Sequence, residues 1–161
     1  MEEVLTMSDR DRLRWWTLIP FVALIATVIA FGQAFPPGEW YAGLKKPSIA
    51  PPNWIFGVVW TPLYLMISLA GWLLWERAHR SPAMGLWVAQ LALNAGWSWI
   101  FFGLHQMGAA LLEIILLWLV IGATILAAWR VSRAAAFLLL PYWLWVAFAS
   151  TLNFVFWQLN R

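Results

Sequence analysis

Cysteine is absent from this chain, and charged residues fill only 11% of its 161 positions. Without thiols there is no disulfide, no thiolate nucleophile and no thiolate metal site. The two histidines, His79 and His105, fall in different connections between apolar runs. Those connections lie on opposite faces of any membrane the runs cross, so the pair cannot share a metal, and no metal site is expected. No nucleophile stands beside a positioned base, and no paired carboxylates suggest acid–base chemistry, so no catalytic constellation is read. Ten lysines and arginines against seven acids give a net charge of +3. They cluster at the ends of apolar runs instead of on a polar surface, which argues against a nucleic-acid partner.

What the chain has in excess is apolar surface: 63% hydrophobic residues and a mean hydropathy of +0.74, where a soluble domain carries about 45–50% apolar and about 25% charged residues. The class is an integral membrane protein whose surroundings are the lipid bilayer. Apolar runs cover residues 16–35, 54–75, 83–104, 107–129 and 134–157. At ~1.5 Å rise per residue each is long enough to cross a ~30 Å hydrocarbon core. The runs are continuously apolar, not alternating, so helices are expected and a barrel is not. The fold expected is all-α: a bundle of five transmembrane helices in one domain over residues 15–161, after a polar tail at 1–14. The basic start before the first run also fits a signal peptide, although the run exceeds a usual signal core. Arg10, Arg12, Arg14, Arg77, Arg80, Arg130 and Arg133 fall on one side, against Lys45, Lys46 and Arg161 on the other. That bias places the N-terminus in the cytoplasm, with the lysine pair opposing it.

Fifteen tryptophans are present. Trp15, Trp16, Trp54, Trp75, Trp129 and Trp157 stand where interfacial belts form. Trp60, Trp97, Trp118 and Trp145 lie deeper and are candidates for lining a site. Residues 36–53 hold Pro36, Pro37, Pro47, Pro51 and Pro52, which stiffen the backbone, together with Trp40, Tyr41 and Ile49. A flexible tether would use glycine and serine. The stretch reads either as a lid folded over the bundle mouth or as a loop resting on headgroups.

The pattern Trp40-Tyr41-x-x-Leu44-x-Lys46-Pro47-x-x-x-Pro51-Pro52, followed by Phe56, Trp60 and Tyr64, resembles the signature of the TspO/MBR family. Its members are also called translocator proteins, tryptophan-rich sensory proteins or peripheral-type benzodiazepine receptors. The likeness continues through Gln90, Asn94, Trp97, Ser98 and Phe101-Phe102, then Gln106-Met107-Gly108, and Pro141-Tyr142, Trp145, Ala147-Phe148-Ala149 and Leu152-Asn153. The resemblance implies a five-helix membrane receptor or sensor with a lid-closed pocket. Its ligands would be porphyrins (protoporphyrin IX, haem) and benzodiazepine-type compounds, with no obligatory cofactor. By position, the ligand-binding residues would be Tyr41, Pro51, Trp60, Asn94, Trp97, Tyr142, Trp145, Ala147 and Ala149.

The spacing agrees with that assignment. Asn94 and Trp97 share a helix face, and Tyr142, Trp145, Ala149 and Asn153 fall on one stripe. Lys45 and Lys46 are candidate partners for porphyrin propionates. Glu113 is the acid inside an apolar run, within reach of water or of His105 from its place near the helix start. The small-residue pairs Gly85/Ala89 and Ala92/Gly96 suggest a homodimer through helix three. Sterol binding is doubtful, because Phe154 and Gln158 stand where the family's cholesterol-recognition stretch wants tyrosine and arginine. Binding and sensing, tied to tetrapyrrole metabolism or a stress response, lead the functional readings. Light-dependent porphyrin degradation with Trp60 and Trp145 follows, then transport of porphyrin or sterol. A bacterial plasma or inner membrane is the expected location, with a mitochondrial membrane also open.

Overall fold

Residues that need no partner for their N–H, or that supply one, decide where helices begin. The computed structural model describes residues 14–161, so all of the polar tail except Arg14, with the topological arginines Arg10 and Arg12, lies outside the described residues. A 3₁₀ turn, Trp15–Leu18, leads into α1 (Ile19–Gln33). A short helix α2 (Glu39–Gly43) follows, then α3 (Asn53–Ala78), α4 (Pro82–Ser98), α5 (Met107–Trp129) and α6 (Arg133–Asn160). Pro20 and Pro82 stand in the first turns of α1 and α4, where the missing N–H would have no intrahelical partner anyway. The Ser132 hydroxyl caps α6 by accepting from the Ala135 N–H at 3.3 Å. There is no strand among the described residues.

The helices differ from the apolar runs chiefly at their ends. α3 extends from Asn53 to Ala78 and α6 from Arg133 to Asn160, because polar residues at the edges continue helical hydrogen bonding beyond the apolar stretch. α1 stops at Gln33. α4 ends as an α-helix at Ser98 and continues as a π-helical turn, Trp99–Gly103. Residues 36–53 are not simply a loop, since they contain α2. Among the described residues, four helical stretches are long and apolar enough to cross a membrane: Trp15–Gln33, Asn53–Ala78, Met107–Trp129 and Arg133–Asn160. α4 alone has 17 residues, and its π-helical continuation lengthens it to residues 82–103.

α5 packs against α4 and α6, α6 also against α3, and α1 against α3 and α4. At the end where α3 finishes and α4 starts, Ile67, Ala70, Leu74, Ala83 and Trp87 are fully buried. Trp87 reaches that depth because Gly71 has no side chain: a Cβ there would lie 2.3 Å from the indole ring. The indole N–H donates to the Ile67 carbonyl at 3.0 Å, so the ring is buried without an orphaned donor. Beside it, the Trp72 N–H donates to the Thr17 hydroxyl at 2.8 Å, and Thr17 donates to the Glu76 carboxylate at 2.6 Å. These bonds fasten the start of α1 to the end of α3.

Candidate functional site

At the opposite end the helices leave space. A cavity of about 350 Å³ lies among them. α1 contributes Ile29 and Gly32, α3 contributes Phe56, Trp60 and Tyr64, and α4 contributes Asn94, Trp97 and Ser98. Ile114 and Leu117 of α5 and Trp145, Ala149, Leu152 and Asn153 of α6 complete the wall, with Phe101 and Phe102 from the π-helical turn. α1 comes close to α4 here: a Cβ on Gly32 would stand 3.5 Å from the Ser98 hydroxyl, an ordinary contact.

The wall is mostly aromatic, and its rings fix one another. Trp60 stacks on Tyr64 with centroids 5.0 Å apart, and Trp97 stacks on Phe101 at the same separation. Phe56 meets Trp145 edge-on at 5.9 Å. Several of its polar groups pair across the helices. The Tyr64 hydroxyl donates to Asn94 Oδ1 at 3.2 Å, and Asn94 Nδ2 donates to the Tyr142 hydroxyl at 3.1 Å. The Trp97 N–H donates to Asn153 Oδ1 at 3.0 Å, while Asn153 Nδ2 donates to the Met107 carbonyl at 2.9 Å. Both asparagines therefore tie helices together as well as facing the cavity. The Trp145 N–H is buried and has no acceptor, and the same holds for Trp118 Nε1 outside the cavity.

The segment joining α1 to α3 closes one side. Tyr41 lines the cavity, packed on Phe102 at 5.4 Å and on Phe156 at 5.5 Å. Partial burial raises its phenol pKa. Trp40 lies edge-on to Phe101 at 5.8 Å and flat against His105 at 4.2 Å. The Lys46 ammonium donates to the Tyr41 carbonyl and sits 3.3 Å from the centre of the Tyr41 ring. Desolvation there lowers its pKa. Farther along, Lys45 N–H donates to Asn160 Oδ1 at 2.8 Å, and Asn160 Nδ2 donates to the Lys45 carbonyl at 3.1 Å. That pair pins the segment to the end of α6.

Of the residues expected at a site, Tyr41, Trp60, Asn94, Trp97, Trp145 and Ala149 share one cavity wall. Tyr142 is fully buried behind it, bonded to Asn94 and edge-on to Trp60 at 6.0 Å. Pro51 and Ala147 stand outside the lining, and so does Trp118, which stacks on Trp143 at 4.9 Å instead. Lys46 is engaged with Tyr41, and neither lysine lines the cavity. Glu113 does not pair with His105; its carboxylate oxygens are buried and unpartnered, one of them 3.8 Å from where a Gly96 Cβ would stand. Gly96 therefore serves contact with α5, while Gly85, Ala89 and Ala92 remain exposed on α4. The sequence reading missed α1 as a wall.

The family model for the TspO/MBR family matches residues 15–158. Protein CrtK of Rhodobacter capsulatus is 41% identical over 135 residues, covering 81% of this chain and 84% of that protein. The human translocator protein is 43% identical over 138 residues, covering 81% and 82% respectively. The tryptophan-rich sensory protein of Cereibacter sphaeroides is 35% identical over 146 residues, covering 91% and 92%.

Proposed function

The chain belongs to the TspO/MBR family, and we propose that it is a membrane receptor or sensor for porphyrins such as protoporphyrin IX and haem, and for benzodiazepine-type ligands. In this reading five helices cross the bilayer, α4 with its π-helical turn being the fifth, and residues 36–53 form a lid. The observation that carries it is the aromatic cavity of about 350 Å³, within the range of about 300–1,000 Å³ typical of small-molecule sites. Stacked indole and phenyl faces suit a flat conjugated ligand, which prefers offset or edge-on contact with aromatic rings. Trp60, Trp97, Trp145 and Tyr41 would hold the ring system, with Ala149 leaving room beside them. Lys45, exposed near the lid, is the better placed lysine for a propionate, since Lys46 already serves Tyr41. Capture of the ligand would report on tetrapyrrole metabolism or stress. A dimer would form through the exposed Gly85, Ala89 and Ala92. A bacterial plasma or inner membrane is the proposed location.

A second reading, light-dependent porphyrin degradation, is favoured by one observation. The N–H of Trp145 is buried without an acceptor in the wall that also holds Trp60. Two indoles would then face the excited ligand directly. Protoporphyrin IX is titrated into the detergent-solubilised protein, following tryptophan fluorescence in the dark and porphyrin absorbance under illumination. The expected result is saturable quenching with stable absorbance. Light-dependent bleaching that Trp60→Phe and Trp145→Phe both slow, with quenching intact, would replace the receptor by the photochemical reading. Absence of saturable quenching would sink both.

A further inference from the structure

Resting on the reading of residues 36–53 as a lid, we infer that His105 is a proton-sensitive latch holding that lid against the bundle. His105 occupies the turn between the π-helical end of α4 and the start of α5. Its φ is 56°, a left-handed conformation that histidine adopts more readily than most residues. The next residue closes the turn, the Gln106 N–H donating to the Ile100 carbonyl at 3.1 Å. The imidazole lies flat on the Trp40 indole, with centroids 4.2 Å apart and planes inclined by 17°. Trp40 rests on Phe101, and Phe101 and Tyr41 both line the cavity. The histidine thus touches the residue next to the cavity wall, from outside the cavity.

Imidazole gains a proton between pH 8 and pH 5 as a general property of histidine. Neutral, it contributes the ordinary attraction of stacked rings. Protonated, it adds the attraction of a cation for the electron-rich indole face. The protonated ring therefore holds the lid more tightly than the neutral one. The added hold is present when the imidazole carries its second proton and absent when it is neutral.

Other charged groups on the surrounding elements are held differently. Lys46 is on Tyr41, and Arg161 lies over Trp157 at 5.6 Å. The Glu113 carboxylate is buried on α5, and Lys45 is exposed, with its backbone tied to Asn160. Glu39 is exposed beside Trp40 in the first turn of α2 and is the acid that needs a control.

The test uses the full chain without ligand in detergent, following hydrogen exchange of the Ala42 and Leu44 amides. These donate to the Gly38 and Tyr41 carbonyls in docked α2. After correction for intrinsic exchange, protection is expected to be about two- to fivefold greater at about pH 5.5 than at about pH 7.5, the worth of an exposed cation–π contact across the histidine range. His105→Asn, which accepts a positive φ, should abolish the difference. His105→Arg, a permanent cation able to stack, should show the low-pH protection at both values. Glu39→Gln should behave as the wild type. Equal wild-type protection at the two pH values overturns the latch, and so does an unchanged difference in His105→Asn or a lost one in Glu39→Gln. Because no ligand takes part, a failed porphyrin titration would defeat the receptor reading and leave this one intact.

Discussion

The two ends of the bundle are built from the same residue types and come out differently. At one end Trp87 fills the space that Gly71 leaves and gives its N–H to a backbone carbonyl. At the other, Trp145 stands beside Ala149 in the wall of an open cavity, with its N–H unpaired. Tryptophan content therefore does not separate core from site. What separates them is whether the ring fills the space beside its small neighbour. The indole N–H does not separate them, since Trp97 in the wall donates to Asn153 while Trp118 outside it has no acceptor. Close packing marks a structural tryptophan. An unfilled volume beside the ring marks a tryptophan of the cavity wall.

Substitutions can test that contrast, beginning with the largest effect. Trp87→Ala should destabilise the protein by about 3–5 kcal/mol, the usual loss for a large core aromatic, read as a lower unfolding midpoint in detergent. Its effect on porphyrin quenching below that midpoint should be small. The mirror experiment is Ala149→Leu at the open end. It should weaken quenching by protoporphyrin IX at least about tenfold, about 1.4 kcal/mol. Its effect on stability should stay under about 1 kcal/mol, because overpacking penalties need a filled site. If Ala149→Leu unfolded the protein instead, the two ends would be alike after all. The smallest effect concerns the tether: Asn160→Ala removes two exposed bonds to Lys45 and should cost about 1 kcal/mol or less. Hydrogen exchange near residues 44–46 should report it, with the unfolding midpoint barely moved.

Much of the site was legible because aromatic and small residues at helical spacing announce a shared face. Trp145, Ala149 and Asn153 fall on one stripe and do line one wall. Tyr142 belongs to the same stripe yet stays behind the wall. Spacing gives the direction of a residue around its helix, not its distance from the axis of the bundle. The belt tryptophans Trp15, Trp16 and Trp54 are more than 60% exposed, as their positions at the edges of apolar runs indicate. Trp118 reads like Trp145 in sequence and packs on Trp143 instead, because which flank of α5 meets α6 is a matter of helix pairing. The polar partners were hidden for the same reason. Asn94 joins Tyr64 and Tyr142, residues 30 and 48 positions away, and no local pattern connects them.

By itself the sequence determined the membrane class, the helical content, the position of the apolar runs and the family. The first three follow from composition and short-range periodicity, which lipid enforces by leaving backbone groups no partner outside a helix; the family rests on motifs that resemble its signature in order. Only the tertiary structure decided which tryptophans are core and which are wall, that Gly96 meets Glu113 within the chain, and that His105 lies on Trp40. Each of these depends on side chains brought together from different helices. Contacts of that kind are settled by how the helices pack against one another, which no single helix encodes.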